Sequence, residues 1–236
     1  MSITISKESI KRLIKDVKQI KNEPLNDQGI YYKHDEEDIL KGYALVIGPS
    51  DTPYENGYYF FEFKFPSDYP YSPPKLTYLT NDGITRFNPN LYRSGKVCLS
   101  VLNTWRGEQW TSCQSISSIL LTLITVFNNK PLLNEPGVTE THSDFKKYNQ
   151  ILTYKNYEIA IYNIVNNERN QLFVDKFYDE VMEHFKDNFK VIKKKMTALK
   201  KENKKSMLLS TNIYTMKATI DYNNIYKKLN DFYKNI

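Results

Sequence analysis

The sequence has 236 residues, 40% of them hydrophobic and 25% charged, with a formal net charge of +6. That balance excludes a disordered or fibrous chain, and no apolar run approaches the roughly 20 residues a helix needs to cross a bilayer. Lys7, Glu8, Lys11, Arg12, Lys15 and Asp16 interrupt the N-terminal segment, which excludes the unbroken apolar stretch of a signal peptide, so an intracellular protein is expected, cytoplasmic with a nuclear location left open.

Residues 6–21 predict an amphipathic helix. Ile10, Leu13, Ile14 and Val17 fall at i, i+3, i+4 and i+7, Ser6 is placed to cap the start, and Pro24 lies beyond the end. Strands are predicted next over residues 29–34, 39–47, 58–65 and 75–80. Asn56-Gly57 is a hairpin turn signal between the second and third. In the third, Tyr59, Phe61, Phe63 and Phe65 alternate with Glu62 and Lys64. Four strands in series with short turns predict an antiparallel meander. Pro66, Pro70, Pro73 and Pro74 punctuate the chain around the last turn. Residues 81–113 show no period and predict a long ordered loop, which inside a compact domain is usually functional. Residues 115–127 predict a second helix through Ile116, Ile119, Leu120, Leu123 and Phe127.

The remainder is predicted to be helical over residues 148–165 and 171–199, with Tyr154, Tyr157, Ile161, Val165 and then Phe173, Phe177, Val181, Phe185 at helical spacing. Past about Lys200 the chain turns rich in Lys, Asn, Tyr and Ile with weaker patterning. The basicity belongs to this half. Residues 141–236 hold 18 Lys and Arg against 11 Asp and Glu, a balance of +7, and the preceding residues sit near neutrality with 15 against 16. Nine lysines between Lys186 and Lys205 face only Asp187 and Glu202. A solvated helix face explains such a run as well as attraction to acidic partners does, and no aromatic stacking motif points to nucleic acid. The chain is divided accordingly into a core at 1–147, a helical extension at 148–199 expected to pack on it, and a basic tail at 200–236 expected to be dispensable for chemistry.

The middle of the chain resembles the ubiquitin-conjugating enzyme family. Gly48-Pro49, Thr52-Pro53-Tyr54 and Gly57 are similar to its first hairpin. Phe65-Pro66, Asp68-Tyr69-Pro70 and Pro73-Pro74 resemble its signature turn. Phe87-Asn88-Pro89-Asn90 resembles its His-Pro-Asn loop with asparagine in place of histidine, and Gly95-Lys96-Val97-Cys98-Leu99 resembles its active-site segment, with Cys98 at the family spacing from Asn90. The lengthened stretch Trp105-Arg106-Gly107-Glu108-Gln109 before Trp110, with Asn134-Glu135-Pro136-Gly137, resembles the BRUCE/Apollon-type subgroup. The resemblance covers about residues 5–185 and implies the family's α/β fold: an N-terminal helix, a four-stranded antiparallel meander and C-terminal helices.

It also implies a reaction. Cys98 would accept ubiquitin, or a ubiquitin-like protein, as a thioester from an activating enzyme and release it to a protein lysine, usually with a ubiquitin ligase and without a bound cofactor or metal. Thiolates attack and leave readily, which suits a relay. Cys98 follows a glycine-containing loop, which argues for exposure near a shallow cleft; a buried core thiol is the plainer alternative. Cys113, the rival from the residues alone, becomes a packing residue under the resemblance. Asn90 would stabilise the oxyanion, or merely tie down the loop, and Glu135 would act as an acidic gate for the incoming lysine, or stand as a solvated turn residue. Tyr71, Pro73 and Trp110 correspond to the ligase surface, with core packing as the alternative for Trp110, and Lys7, Lys11 and Arg12 to the activating-enzyme surface. Asn88 would brace its loop as the histidine does. The alternative functions are an inactive ubiquitin-binding variant, against which Cys98 itself speaks, and a cysteine hydrolase, for which His34, His142 and His184 supply no recognisable base motif.

Overall fold

The computed structural model describes residues 5–167 and 171–236. Helix α1 spans Lys7–Asn22, and the Ser6 side chain caps it by accepting from the Ser9 amide at 3.0 Å. Four strands follow: β1 (Ile30–His34), β2 (Lys41–Ile47), β3 (Tyr58–Lys64) and β4 (Lys75–Tyr78). They form one antiparallel meander in the order β1-β2-β3-β4. The register sets Tyr32 against Ala44, Ala44 against Phe61 and Phe61 against Tyr78. Helix α2 (Ile116–Ile124) starts at a capping box between Ser115 and Ser118. Its buried face, with Phe127 just beyond, covers one side of the sheet, where Phe127 meets Tyr59 at 4.8 Å between ring centroids.

Alternation alone leaves the other side of the meander to solvent, yet Tyr58 and Phe60 are as buried as Tyr59 and Phe61. The extension covers them. Helix α3 (Phe145–Lys155) continues through a π-helical stretch, Asn156–Tyr162, into the short α4 (Asn163–Asn166). The short α5 (Leu172–Asp175) and the long α6 (Tyr178–Glu202) follow. Phe60 packs at 5.2 Å from Phe173 and 5.9 Å from Phe177, and Tyr58 reaches His184 on α6. The predicted continuous helix over 171–199 is thus broken at Lys176 and Phe177, so that Phe177 enters the core. The π-helical stretch begins at Asn156, whose amide accepts from Tyr59 Oη at 2.7 Å and donates to the Glu55 carbonyl at 2.9 Å. Gly57 leaves room for it, since a β-carbon there would stand 1.9 Å from Asn156 Oδ1.

The last segment corrects the expectation of a weakly patterned tail. It forms a hairpin of β5 (Met207–Ser210) and β6 (Lys217–Ile220), then helix α7 (Tyr222–Lys234). Met216, Ala218, Ile220, Tyr222, Ile225 and Leu229 are buried. Helix α7 lies on α6, with Tyr233 stacked on Phe189 at 3.8 Å and Phe232 at 5.9 Å from Phe185. Its apolar residues are spaced among Lys and Asn, so composition hides a face that the helical period sorts out. Lys186, Lys190, Lys193 and Lys194 line the solvent side of α6, as a charged helix face requires. Among the described residues, no helix is long and apolar enough to cross a membrane.

Candidate active site

The loop between β4 and α2 carries the site. Its first half is built on Asn88, a fully buried amide with every hydrogen-bonding position used. Its Nδ2 donates to Tyr54 Oη at 2.9 Å and to the Val126 carbonyl at 2.8 Å. Its Oδ1 accepts from the Asn90 amide at 2.9 Å and from Asn134 Nδ2 at 3.3 Å. One side chain therefore joins the β2–β3 hairpin, the end of α2, the turn at Asn134 and the loop's own backbone. Arg86 holds the same turn from outside, donating to the carbonyls of Asn88 (3.1 Å) and Pro89 (2.7 Å) while its guanidinium lies 3.3 Å from the centroid of Tyr92.

The second half returns along β4. The Tyr78 amide donates to the Gly95 carbonyl at 2.7 Å, and Leu91 pairs with Val97 across the loop. Cys98 then meets Asn90 twice: its amide donates to the Asn90 carbonyl at 2.8 Å, and its own carbonyl accepts from Asn90 Nδ2 at 2.8 Å. Asn90 Oδ1 is buried and, among the described residues, has no hydrogen-bond partner. Thr104 fixes the residues flanking Cys98. Its hydroxyl donates toward the carbonyls of Val97 (3.0 Å) and Leu99 (3.1 Å) and accepts from the Leu99 amide at 3.0 Å.

The cysteines exchange environments relative to expectation. Cys98 is 2% exposed, whereas Cys113, expected to pack, is exposed. The stretch after Cys98 folds in as a short turn, Ser100–Leu102, and the lengthened loop doubles back onto it. A β-carbon on Gly107 would stand 3.1 Å from Ser100 Cβ.

Glu135 follows the turn Pro131–Asn134, one residue beyond the asparagine that bonds Asn88. It is half-buried, and its Oε2 accepts a short hydrogen bond from the phenol of Tyr214, at the tip of the β5–β6 hairpin. Tyr71 stands out, 71% exposed, and Pro73 lines a cleft of about 520 Å³ with Leu76, Val97 and Leu102. Trp110 is not an exposed anchor. It is buried beside Tyr69, and its indole donates to the Pro70 carbonyl at 2.7 Å, bracing the loop against the proline-rich turn. Lys7 and Lys11 are exposed on α1. Arg12 is already engaged: it pairs with Asp16 at 2.9 Å and donates to the carbonyls of Ser112 and Gln114, joining α1 to the start of α2. The histidines are held elsewhere, His34 between Tyr32 and the Ile39 carbonyl, His184 against Tyr58, and His142 accepting from the Asp144 amide.

Tyr54, Arg86, Thr104, Asn134 and Tyr214 build the site without having been singled out as site residues. Tyr54 and Asn134 lie inside motifs already noted, Thr104 adjoins the lengthened loop, and Tyr214 carries no signal because its partner Glu135 is 79 residues away in sequence.

Comparison with known proteins identifies the family. The family model described as "Ubiquitin-conjugating enzyme" matches residues 12–157. "Ubiquitin-conjugating enzyme E2 Z" of Xenopus tropicalis is 42% identical over 159 residues, covering 66% of this chain and 50% of that protein. "Dual E2 ubiquitin-conjugating enzyme/E3 ubiquitin-protein ligase BIRC6" of Homo sapiens is 46% identical over 122 residues, 48% of this chain and 2% of that protein. "Probable ubiquitin-conjugating enzyme E2 R521" of Acanthamoeba polyphaga mimivirus is 32% identical over 195 residues, 77% of this chain and 13% of that protein. The chain spans half or less of the length of these relatives.

Proposed function

The chain belongs to the ubiquitin-conjugating enzyme family, and from that premise we propose that Cys98 accepts ubiquitin, or a ubiquitin-like protein, from an activating enzyme and passes it to a protein lysine. In charging, the Cys98 thiolate attacks the carbonyl carbon of the activating enzyme's thioester; the new C–S bond forms as the old one breaks, and the donor thiolate leaves. In transfer, a lysine amine attacks the Cys98 thioester, the C–N bond forms, the C–S bond breaks, and Cys98 leaves as thiolate. The acyl group arrives activated in both steps, so a dedicated base beside the sulfur is not needed to make a nucleophile.

The observation that carries this reading is the double hydrogen bond between Asn90 and Cys98, set on the saturated amide of Asn88. It holds the amide nitrogen of Asn90 beside the peptide unit of the nucleophile. One Nδ2 hydrogen serves the Cys98 carbonyl, and the second, with no partner among the described residues, can meet the negative oxygen of a tetrahedral intermediate. Glu135, one residue beyond the asparagine that bonds Asn88, supports the reading as a carboxylate able to orient and deprotonate the incoming amine. Exposed Tyr71, with Pro73 at the adjacent cleft, supports ligase docking, and exposed Lys7 and Lys11 support docking of the activating enzyme. The reaction is placed in the cytoplasm, where an ATP-dependent activating enzyme supplies the donor.

The test is charging. The protein is incubated with activating enzyme, ATP and ubiquitin and resolved on non-reducing gels. A thiol-labile adduct is expected, with Cys98→Ser replacing it by a thiol-resistant ester and Cys113→Ser still charging. Loss of the adduct in Cys113→Ser alone would overturn the assignment of Cys98.

A further inference from the structure

The β5–β6 hairpin lies outside the residues matched by the family model, yet its tip reaches the active-site loop. Tyr214 makes four contacts there. Its phenol donates to Glu135 Oε2, and its carbonyl accepts from the guanidinium of Arg93. Its ring lies 5.1 Å from the guanidinium of Arg86, which itself holds Asn88 and Pro89, and 6.0 Å from the ring of Tyr148, whose hydroxyl donates to the Arg86 carbonyl at 2.8 Å. One residue from the far end of the chain thus grips the loop bearing Asn90 and the carboxylate of Glu135 together.

The backbone is bent to make this reach. Tyr214 and Thr215 both sit in the left-handed region, at φ +57° and +46°. Two successive non-glycine residues there are costly and persist only where the surroundings dictate them. Asp144 supplies part of that constraint, its Oδ2 accepting from the amides of Asn212 (2.8 Å) and Ile213 (3.0 Å). Such a turn at an active-site loop is the pattern expected of a functional element.

The geometry points to Tyr214 as a positioning residue for the transfer step, acting through Glu135, an inference that rests on the function proposed above. The Glu135 side chain sits on a turn between Asn134 and Pro136 and has three rotatable bonds. The phenol takes Oε2 and fixes the carboxylate; Oε1 carries no hydrogen bond among the described residues and stays available to the amine. When the lysine nitrogen bonds to the thioester carbon and the Cys98 thiolate leaves, the proton shed by that nitrogen goes to the carboxylate and on to solvent. A carboxylate already oriented loses less freedom in receiving the amine. Burial and the facing carboxylate raise the Tyr214 phenol well above the ordinary tyrosine range, so it remains a neutral donor throughout the working range. Among the described residues, the other charged and titratable groups around the pair include Arg86, Arg93, Tyr54, Tyr92, Tyr148 and Asp144.

The experiment uses the full chain charged with ubiquitin, comparing wild type, Tyr214→Phe, Glu135→Asp and the double variant. Tyr214→Phe keeps the ring beside Arg86 and removes only the hydroxyl. It is expected to charge at the wild-type rate and melt at the wild-type temperature, yet to discharge onto free lysine about tenfold more slowly, part of the roughly 100-fold or greater contribution of a positioned base. Glu135→Asp withdraws the carboxylate from the phenol by one methylene, so it should show the same selective slowing, deepened little by adding Tyr214→Phe. Wild-type discharge in Tyr214→Phe, or fully additive defects in the double variant, would overturn the role. So would a parallel loss of charging, discharge and melting temperature, which marks mere structural support. Failure of the wild-type chain to form any thioester would instead refute the functional reading, and the Tyr214 role with it.

Discussion

Asn90 and Cys98 hold one another across the active-site loop through two 2.8 Å hydrogen bonds, amide to carbonyl in one direction and side-chain amide to carbonyl in the other. The first is pure backbone and survives any substitution of Asn90; the second depends on the side-chain amide. The two can therefore be separated by mutation.

Asn90→Ala and Asn90→Asp both keep the backbone half of this pairing and lose the donor. Each is expected to charge nearly normally and to discharge to free lysine slowly, by the ~2.7–4 kcal/mol that one oxyanion donor typically supplies. Single-turnover discharge of the isolated thioester measures this. Equal losses in charging and discharge, together with a lowered melting temperature, would assign Asn90 to loop bracing instead.

Asn88→Ala should act through stability. It strips partners from the buried Tyr54 hydroxyl, the Val126 carbonyl, the Asn90 amide and Asn134, and each buried polar group left unsatisfied costs about 1–3 kcal/mol. Part of that is recovered because Tyr54 keeps its bond to the Phe87 carbonyl and Asn134 keeps Val126. A loss of about 3 kcal/mol in denaturant unfolding is expected, with charging reduced in proportion to the folded fraction. An unchanged unfolding midpoint would show that the amide is not the hub of this loop.

The pH dependence follows from two half-buried imidazoles. Burial lowers His184, which lies against Tyr58 at the junction of sheet and α6, and lowers His34 inside the meander, each from an ordinary value of 6.5. With the folded value below the unfolded one, the unfolded chain binds more protons as the pH falls. The stability is therefore complete above pH 6.5 and is lost as the pH falls through the folded-state values. Melting temperature should drop across that window, and less so in His184→Gln. A flat profile in the wild-type chain would contradict the partial shielding of both rings from solvent.

What was legible in the sequence is what repeats with a period. Helix α1, the meander and α2 announce themselves through Leu13, the β3 aromatics and Ile119, because one-sided burial imposes spacings of 3.6 or 2. The motif residues Asn90 and Cys98 were legible as a pair for a different reason, their place in an ordered set of turns. Features that depend on which surface arrives from far away were not. Phe60 reads as solvent-facing until α5 covers it, Arg12 reads as a free cation until the carbonyls of Ser112 and Gln114 arrive, and Tyr214 has no local reason to sit beside Glu135.

Removing the C-terminal segment gives the sharpest test of the fold. Composition makes the residues past about Lys200 look dispensable, but in the structure Tyr222 packs on Tyr154 at 5.4 Å, Tyr233 stacks on Phe189, and Phe232 sits at 5.9 Å from Phe185. A chain ending at Leu199 uncovers those partners and loses the burial of Met216, Ile220, Ile225 and Leu229. Each large apolar side chain fully buried contributes roughly 1.5–3 kcal/mol, whereas a whole domain is stable by only about 5–15 kcal/mol. The shortened chain also loses the grip of Tyr214 on Glu135 and of its carbonyl on Arg93. It is expected to be poorly soluble or to melt at a markedly lower temperature, and whatever folds should charge on Cys98 but discharge slowly. A chain ending at Leu199 that matched the full chain in melting temperature and in lysine discharge would show that the hairpin and α7 are an independent appendage.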